Sequence, residues 1–455
     1  MSRFPTDGPS IALSGWGLFP RGRCCLVEPE SLPELERRLD RRGTIGRGLG
    51  RSYGDPAINS GGQVLGMTRL DRYLAFDGAT GELRCEGGVS LARIIADFAP
   101  RGWFPMITPG TKYVTVGGCI ANDVHGKGHH AQGSFATSVI SMRIMCADGV
   151  ILTASRDENN DLFWASFGGM GLLGLVVEAT LKLRAIETTF YRQQAIVVND
   201  LSEMLDAFDA NDSVFPYSVA YIDPLATGDR LGRGVLTVGD HASLGDLPKG
   251  LAKSALRVSG EHQISVPFEL PSVTLNPLTS RLVNLAIKTV LAHAGALAHY
   301  EKFFYPLDAI GHWNRGYGPR GFTQYQFLVP LTDGRRVMRE ILQTIVSSGS
   351  LPFLNVLKRM GKASSGHLSF PFEGYTFAID FPIRDGTAAL TKRLDAMVRE
   401  AGGRIYLGKD AFLDAETFRA MYPRLDAWLE VKRRYDPDNV FVSDQARRVG
   451  LIPEA

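Results

Sequence analysis

The stretch that most restricts how this chain can fold runs from Thr108 to Ser134, T-P-G-T-K-Y-V-T-V-G-G-C-I-A-N-D-V-H-G-K-G-H-H-A-Q-G-S. It holds too many glycines for a helix interior and too few alternating apolar residues for an ordinary strand. Asn122, Asp123, His125, Lys127, His129 and His130 are interleaved with those glycines. Glycine serves where the backbone turns sharply or comes close to another group, so the stretch reads as main chain wrapped round a polar ligand. A second one, Gly46-Arg-Gly-Leu-Gly-Arg-Ser-Tyr-Gly-Asp55, lies nearer the N-terminus. Two such loops carrying basic side chains can offer converging N–H groups to a pyrophosphate.

Two other readings compete. Both stretches could be turn-rich surface loops, or His125, His129 and His130 could be metal ligands. Ligation at i,i+4 needs a helix to put both rings on one face, and Gly126 and Gly128 interrupt it. The phosphate cradle is therefore the working expectation, with no metal assigned. Further on, Gly169-Met-Gly-Leu-Leu-Gly174 fits G-x-G-x-x-G. A dinucleotide fingerprint needs a strand before it and a helix after it. Here the preceding Asp161–Ala165 looks helical and the following Leu175–Leu183 looks like a strand, so nicotinamide binding is not supported.

A chain of 455 residues with 44% apolar and 22% charged residues is expected to form about two globular domains. A net charge of +2 gives no argument for nucleic acid. The five cysteines (Cys24, Cys25, Cys85, Cys119, Cys146) are odd in number and lack C-x-x-C spacing, which argues against a disulfide framework or zinc site. The N-terminus has no continuous apolar core of a signal peptide, so a cytoplasmic location is expected.

Ser31 to Glu34 reads as a capping box opening a helix through Asp40, and Thr44-Ile45 as a strand feeding the first glycine loop. Ser90 caps a helix with Leu91, Ile94, Ile95 and Phe98 on one face. Ser138–Met145 reads as a strand turned back by Asp148-Gly149. The texture changes from about 187. Leu201–Ala210 reads as helix, Ser218–Ile222 and Val235–Val238 as strands, and 240–276 as irregular. Pro277 to Tyr300 reads as a helix or helix pair, too interrupted by Lys288 and His293 to span a bilayer. It is expected to pack into the core, with a membrane-facing lid as the alternative. In Phe322–Val329, Gln324 and Gln326 share one face, Tyr325 and Phe327 the other. Gly334–Ser347 and Thr387–Glu400 read as helices, Leu354–Lys358, Tyr375–Phe381 and Arg404–Leu407 as strands. These suggest an antiparallel sheet with helices on one side.

G-R-G-L-G-R-S-Y-G-D and P-G-T-x-x-V-T-V-G-G-x-I-A-x-D-V-H-G-K-x-H-H resemble the FAD-binding half of the vanillyl-alcohol-oxidase-type flavoproteins, and within them the oxidases of polyprenyl-phosphoryl ribose. The resemblance runs from about residue 40 to the C-terminus and is weakest between about 225 and 300. It implies an α+β, two-domain PCMH-type FAD-binding fold with an antiparallel-sheet substrate (cap) domain. The expected divisions are 1–187 for the N-terminal part of the FAD-binding domain, 188–403 for the cap, and 404–455 for a segment rejoining the FAD-binding domain.

An FAD enzyme of this kind needs donors at the pyrophosphate, a cation near the flavin and a way to remove the substrate's hydroxyl proton. Gly46, Arg47, Gly48, Leu49, Gly50, Arg51, Ser52, Tyr53, Gly54 and Asp55 are the expected cofactor residues of the first loop. By resemblance Gly110, Thr115, Val116, Gly117, Gly118, Asn122, Asp123, Val124 and His125 complete the cradle, with Val176 and Tyr406. Lys409, in a Y-x-x-K-D context, matches the lysine set beside the isoalloxazine, where a cation stabilises anionic reduced flavin. Tyr53 and His125 are general-base candidates, and Lys127 a phosphate ligand. Tyr317, Gln324, Gln326, Lys358, Thr376 and Ala378 match substrate positions. Many relatives attach FAD through a histidine in G-x-G-H-S; here that position is Arg51, so dissociable, noncovalent FAD is expected. The family often has W-N-[VI]-C where this chain has Tyr375-Thr-Phe-Ala378, a departure that removes a thiol, shortens an amide and alters the pocket.

The resemblance implies oxidation of a lipid-linked substrate, polyprenyl-phosphoryl β-D-ribofuranose, at C2′ to the 2-keto sugar. A separate NADH-dependent keto-reductase would then complete a ribose-to-arabinose epimerisation for the cell wall. It adds peripheral contact with the inner membrane surface. The alternative is an FAD oxidase of a soluble polyol or aldonolactone.

Overall fold

The computed structural model describes every residue except 1–7, 41–42, 260–263, 272–273, 275, 351, 353 and 453–455. Its fold is the expected α+β arrangement, with two sheets on the side of the glycine loops and a larger antiparallel sheet, the cap, beyond them.

The N-terminal sheet runs in the order Ser10–Ser14, Arg21–Val27, Gln63–Gly66, Thr44–Arg47. Its last three strands are parallel, and Cys24, Ile45, Val64 and Leu65 are buried along it. Ser31 caps the helix Leu32–Arg38 by accepting the Glu34 N–H at 3.4 Å. Strand Thr44–Arg47 delivers the first glycine loop. On its other side Thr44 N–H donates to Val440 O at 2.7 Å and Thr44 O accepts from Val442 N–H at 2.9 Å, bringing the end of the chain onto this sheet.

A second sheet orders Tyr73–Asp77, Glu82–Glu86, Leu175–Ala185, Val139–Met145 and Ile151–Ser155, with Trp103–Pro105 pairing along the long strand Leu175–Ala185. The helix Leu91–Phe98 is capped by Ser90 and buries Leu91, Ile94, Ile95 and Phe98, the spacing that defines one helical face. Helix Asn160–Ser166 precedes Gly169–Gly174 and strand Leu175–Ala185 follows it.

The cap is an eight-stranded sheet, ordered Leu297–His299, Phe190–Val198, Gly234–His241, Tyr217–Ile222, Asn355–Met360, Gly374–Pro382, Phe322–Pro330, Arg404–Ile405. The helix Leu331–Ser347 covers the side on which Tyr325, Phe327 and Val329 cluster with Val337, Met338, Ile341 and Ile345. Strand Phe322–Pro330 is buried on both faces, because its glutamine face closes over the flavin-side loops.

One expectation fails here. Pro277 to Tyr300 is not one helical run: the helix ends at Ala292, and Leu297–His299 is a strand before the short helix Tyr300–Phe304. Nor does the helix pack apolar residues into the core. Among its described residues the buried ones are Ser280 (4% exposed) and Asn284 (7%), while Leu278, Leu282, Leu285 and Val290 are 65, 59, 64 and 70% exposed. Asn284 is fixed to the sheet by Tyr221 Oη–H and by donating to Asp223. Arg233 in turn holds Asp223 at 2.6 and 2.8 Å.

Candidate active site

The two glycine loops meet. A Cβ on Gly48 would lie 2.3 Å from Thr115 Oγ1, so only a glycine allows the first loop to rest on the second. The loop around Lys409 closes the third side: Tyr53 N–H donates to Gly408 O at 3.1 Å, and Tyr406 Oη–H donates to Asn122 O at 3.1 Å. Between them lies a cavity of about 1300 Å³, beyond the roughly 300–1,000 Å³ that suits a single drug-sized ligand.

Most expected cofactor residues line it: Gly46, Arg47, Gly48, Leu49, Gly50, Arg51, Ser52, Tyr53, Gly110, Thr115, Gly117, Gly118, Asn122, Val124, His125, Val176, Tyr406 and Lys409. Lys127, Tyr317, Gln324, Lys358 and Ala378 line it as well. Six do not. Gly54 packs on the chain at Asp410, whose carbonyl oxygen would lie 1.8 Å from an added Cβ. Asp55 is buried and paired with Arg448, which also binds Asp410. Val116 belongs to the core. Asp123 accepts from Ser134 Oγ–H and Ala136 N–H at 2.9 and 3.1 Å and from Ser369. Gln326 and Thr376 stand behind His125: Gln326 Nε2 lies 3.1 Å from His125 Nε2 and donates to Thr376 Oγ1 at 3.0 Å.

The glycine loops divide their work differently from the sequence expectation. Val116, Gly117 and Gly118 spend their N–H groups inside the fold, on Val89 O, Gly87 O and Thr115 Oγ1. The N–H groups of Gly48, Leu49, Gly50, Arg51 and Ser52 meet no protein acceptor among the described residues. Unspent donors on a cavity wall suit a diphosphate. The first loop is the cradle, and the second supplies the close-packed surface behind it.

Lys127, Lys358 and Lys409 all line the cavity, Lys358 close enough to act on the other two. Burial pushes Lys127 down to about 7 and Lys358 down to about 8. Lys409 is lowered by burial and by Lys358, against which Asp380 acts. Its Nζ stands 5.5 Å from the Tyr53 ring centre. Burial carries the Tyr53 phenol well above its ordinary range and the His125 imidazole well below. His125 is boxed by Phe370 and Tyr406, with ring centres at 5.5 and 5.1 Å, and its Nδ1 is buried without a protein partner.

The other histidines are engaged elsewhere. His129 Nδ1 accepts Gly361 N–H at 3.0 Å, and His130 Nε2 lies 2.8 Å from Phe215 O. Among the described residues no three His, Cys, Asp or Glu side chains converge to hold a metal ion. Sequence reasoning missed Asp380, which lines the cavity. The signal was present: in strand Gly374–Pro382 it shares a face with Thr376 and Ala378 at i+2 spacing.

Unspent loop donors, a long cavity and a buried lysine at its inner end fit FAD, and with this fold they define an FAD-dependent oxidoreductase acting on a CH–OH group. A family model for the FAD binding domain matches residues 27–155, and one for D-arabinono-1,4-lactone oxidase matches 320–449. The chain is 38% identical to decaprenylphosphoryl-β-D-ribose oxidase of Mycolicibacterium smegmatis, covering 99% of both chains. It is 34% identical to an uncharacterized protein of Streptomyces coelicolor, over 80% of this chain and all of that one. It is 25% identical to L-gulono-1,4-lactone dehydrogenase of Mycobacterium tuberculosis, over 95% of this chain and 98% of that one. The chain belongs to the decaprenylphosphoryl-β-D-ribose oxidase family.

Proposed function

We propose that the chain oxidises the C2′ hydroxyl of a polyprenyl-phosphoryl β-D-ribofuranose to the 2-keto sugar, with FAD held noncovalently. The observation that carries this reading is the shape of the cavity, which suits an amphiphile. Three buried lysines, Lys127, Lys358 and Lys409, stand at the sugar end. The cavity lining also carries apolar side chains: Val219 and Val356 from the cap sheet, Leu354 just before it, and Val283, Ile287 and Leu291 from the helix Pro277–Ala292. A soluble sugar leaves those side chains uncovered.

FAD, when bound, supplies the acceptor for the hydride from C2′. Lys127 and Lys358 hold the substrate phosphate, a role for which compact cations suffice. Lys409 stabilises negative charge as it develops on the ring. Of the two candidate bases, burial holds His125 neutral, whereas Tyr53 stays protonated and serves as a donor. Gln326 and Thr376 then orient the His125 ring rather than touch substrate. Ala378 shapes the pocket floor beside them. The domain division at 187 and 403 goes with this assignment. The outward leucines of the helix support a peripheral position on a membrane, where a lipid-linked substrate resides; no helix among the described residues is long and apolar enough to cross one. A separate NADH-dependent reductase acting on the 2-keto product completes the proposed epimerisation.

A prenyl-phosphoryl ribose added anaerobically is expected to bleach the visible flavin band within turnover time, whereas ribose 5-phosphate and aldonolactones leave it intact. Equal bleaching by a soluble aldonolactone overturns the lipid reading in favour of a lactone oxidase, the alternative suggested by the match over 320–449. Acid precipitation is expected to leave the yellow colour in the supernatant, because Arg51 stands where a flavin-linking histidine would. Colour retained in the pellet refutes noncovalent binding.

A further inference from the structure

Asp380 is a carboxylate at the inner end of the cavity to which nothing above gives a task. It sits opposite Gln324 in the pairing of strands Phe322–Pro330 and Gly374–Pro382. Tyr317 Oη–H donates to its Oδ2 at 2.9 Å, and Gln324 Nε2 donates to its Oδ1. Tyr317 is itself clamped by the Phe322 ring, stacked at 4.0 Å and 13°. These two donors offset part of the cost of burying the acid, and the cavity they aim it along is the one Lys409 lines. Asp308, the other carboxylate on the cavity wall, is committed to the Lys112 N–H at 2.9 Å.

We propose that Asp380 is a positioning residue that acts through Lys409, a fixed buried counter-anion that keeps the Lys409 side chain in its ammonium form beside the flavin site. The groups facing Lys409 explain the need. Lys358, on strand Asn355–Met360, repels its charge, and burial adds to the effect. His125, on the second glycine loop, is neutral. Tyr53, on the first loop, offers a ring at 5.5 Å and a phenol that stays protonated. Tyr406, one turn before it, is likewise held protonated by burial. Asp380 alone of these carries negative charge at neutral pH. Burial raises its carboxyl while Gln324, Tyr317 and Lys409 act in the opposite direction, so the two hydrogen bonds keep it ionised as well as aimed.

The inference rests on the proposed role of Lys409, so the experiment separates the two. FAD-loaded Asp380→Asn is compared with the parent by reference-dye titration of the flavin midpoint potential and by the pH profile of kcat. Without its counter-anion Lys409 loses its proton at lower pH. The alkaline limb of kcat is expected to move down by about one pH unit, with about tenfold lower kcat near pH 8 and a more negative flavin potential. Asp380→Glu, which keeps the charge, restores the limb. In a Lys409→Arg background, whose guanidinium stays charged throughout, Asp380→Asn leaves the potential unmoved. Should Asp380→Asn not retain FAD, Asp380→Ser supplies the same comparison. A uniform fall in kcat with limb and potential unchanged overturns the proposal, leaving Asp380 a structural anchor for Tyr317 and Gln324. Loss of the acid limb with an unchanged potential also overturns it, making Asp380 the proton acceptor. If Lys409→Met leaves the flavin potential unchanged, it is the reading of Lys409 that fails.

Discussion

At the scale of single residues the site is a set of charges placed where they cost stability. Lys358 is buried and its amine is pushed from 10.5 to about 8. A folded-state value below the unfolded one means that protonation opposes folding. The contribution is fully present above about pH 10.5 and is lost as pH falls towards 8. Lys358→Met is therefore expected to raise the melting temperature of the FAD-free protein at pH 7 while lowering turnover at least tenfold, with scanning calorimetry and flavin bleaching as the paired measurements. Gly48 makes the converse case: its Cβ would strike Thr115 Oγ1 at 2.3 Å. Gly48→Ala is expected to weaken FAD binding about tenfold or more, read from flavin fluorescence on dilution, with the cap sheet intact by circular dichroism. The glycine pattern was legible because glycine is rarely placed by chance where chain segments touch. Which N–H groups are free was not legible, since Gly117 and Gly118 look like Gly48 and Gly50 until their acceptors, Gly87 O and Thr115 Oγ1, are seen.

At the scale of elements, the helix Pro277–Ala292 departs furthest from its sequence reading. Apolar residues on most of its sides marked it for a core, but the structure sets Asn284 inward and Leu278, Leu282 and Leu285 outward. Periodicity reports that a helix has an apolar face and says nothing of what that face meets. Arg281 and Lys288 lie on the same helix, which carries no acidic residue, a composition suited to an anionic lipid surface. Leu282→Asp with Leu285→Asp is expected to abolish cosedimentation with vesicles of anionic phospholipid and to leave flavin binding unchanged. Retained cosedimentation would sink the membrane assignment. Asn284→Ala leaves Tyr221 and Asp223 short of a partner, at a cost of about 1–3 kcal/mol. Faster amide exchange confined to about residues 274–295 is the measurement that checks it.

Across the whole molecule, the chain's last helices tie the flavin-side sheets together. Lys432 lies in the interior and donates to Leu172 O at 2.7 Å, to Phe441 O at 3.0 Å and to Asp436. Asp436 accepts the N–H groups of Val440 and Phe441 at 2.7 and 2.8 Å, and that turn pairs with Thr44. Removing one partner of a buried ion pair strands the other. Lys432→Met is expected to lower unfolding stability by about 3–5 kcal/mol in urea, and to loosen FAD because strand Thr44–Arg47 carries the first glycine loop.

The sequence by itself determined the local features: capped helices at Ser31 and Ser90, alternating strands such as Phe322–Pro330, a G-x-G-x-x-G in the wrong order, and glycine loops suited to a pyrophosphate. Each depends on spacing within a few residues. Only the tertiary structure decided that Asp55 faces Arg448 rather than the cavity, that Gln326 and Thr376 stand behind His125, and that Asp380 faces the same cavity as Lys409. Those relations join residues far apart in the chain. What selects among them is which polar groups find partners once strands from both ends have packed, and that cost is set by burial rather than by any pattern along the sequence.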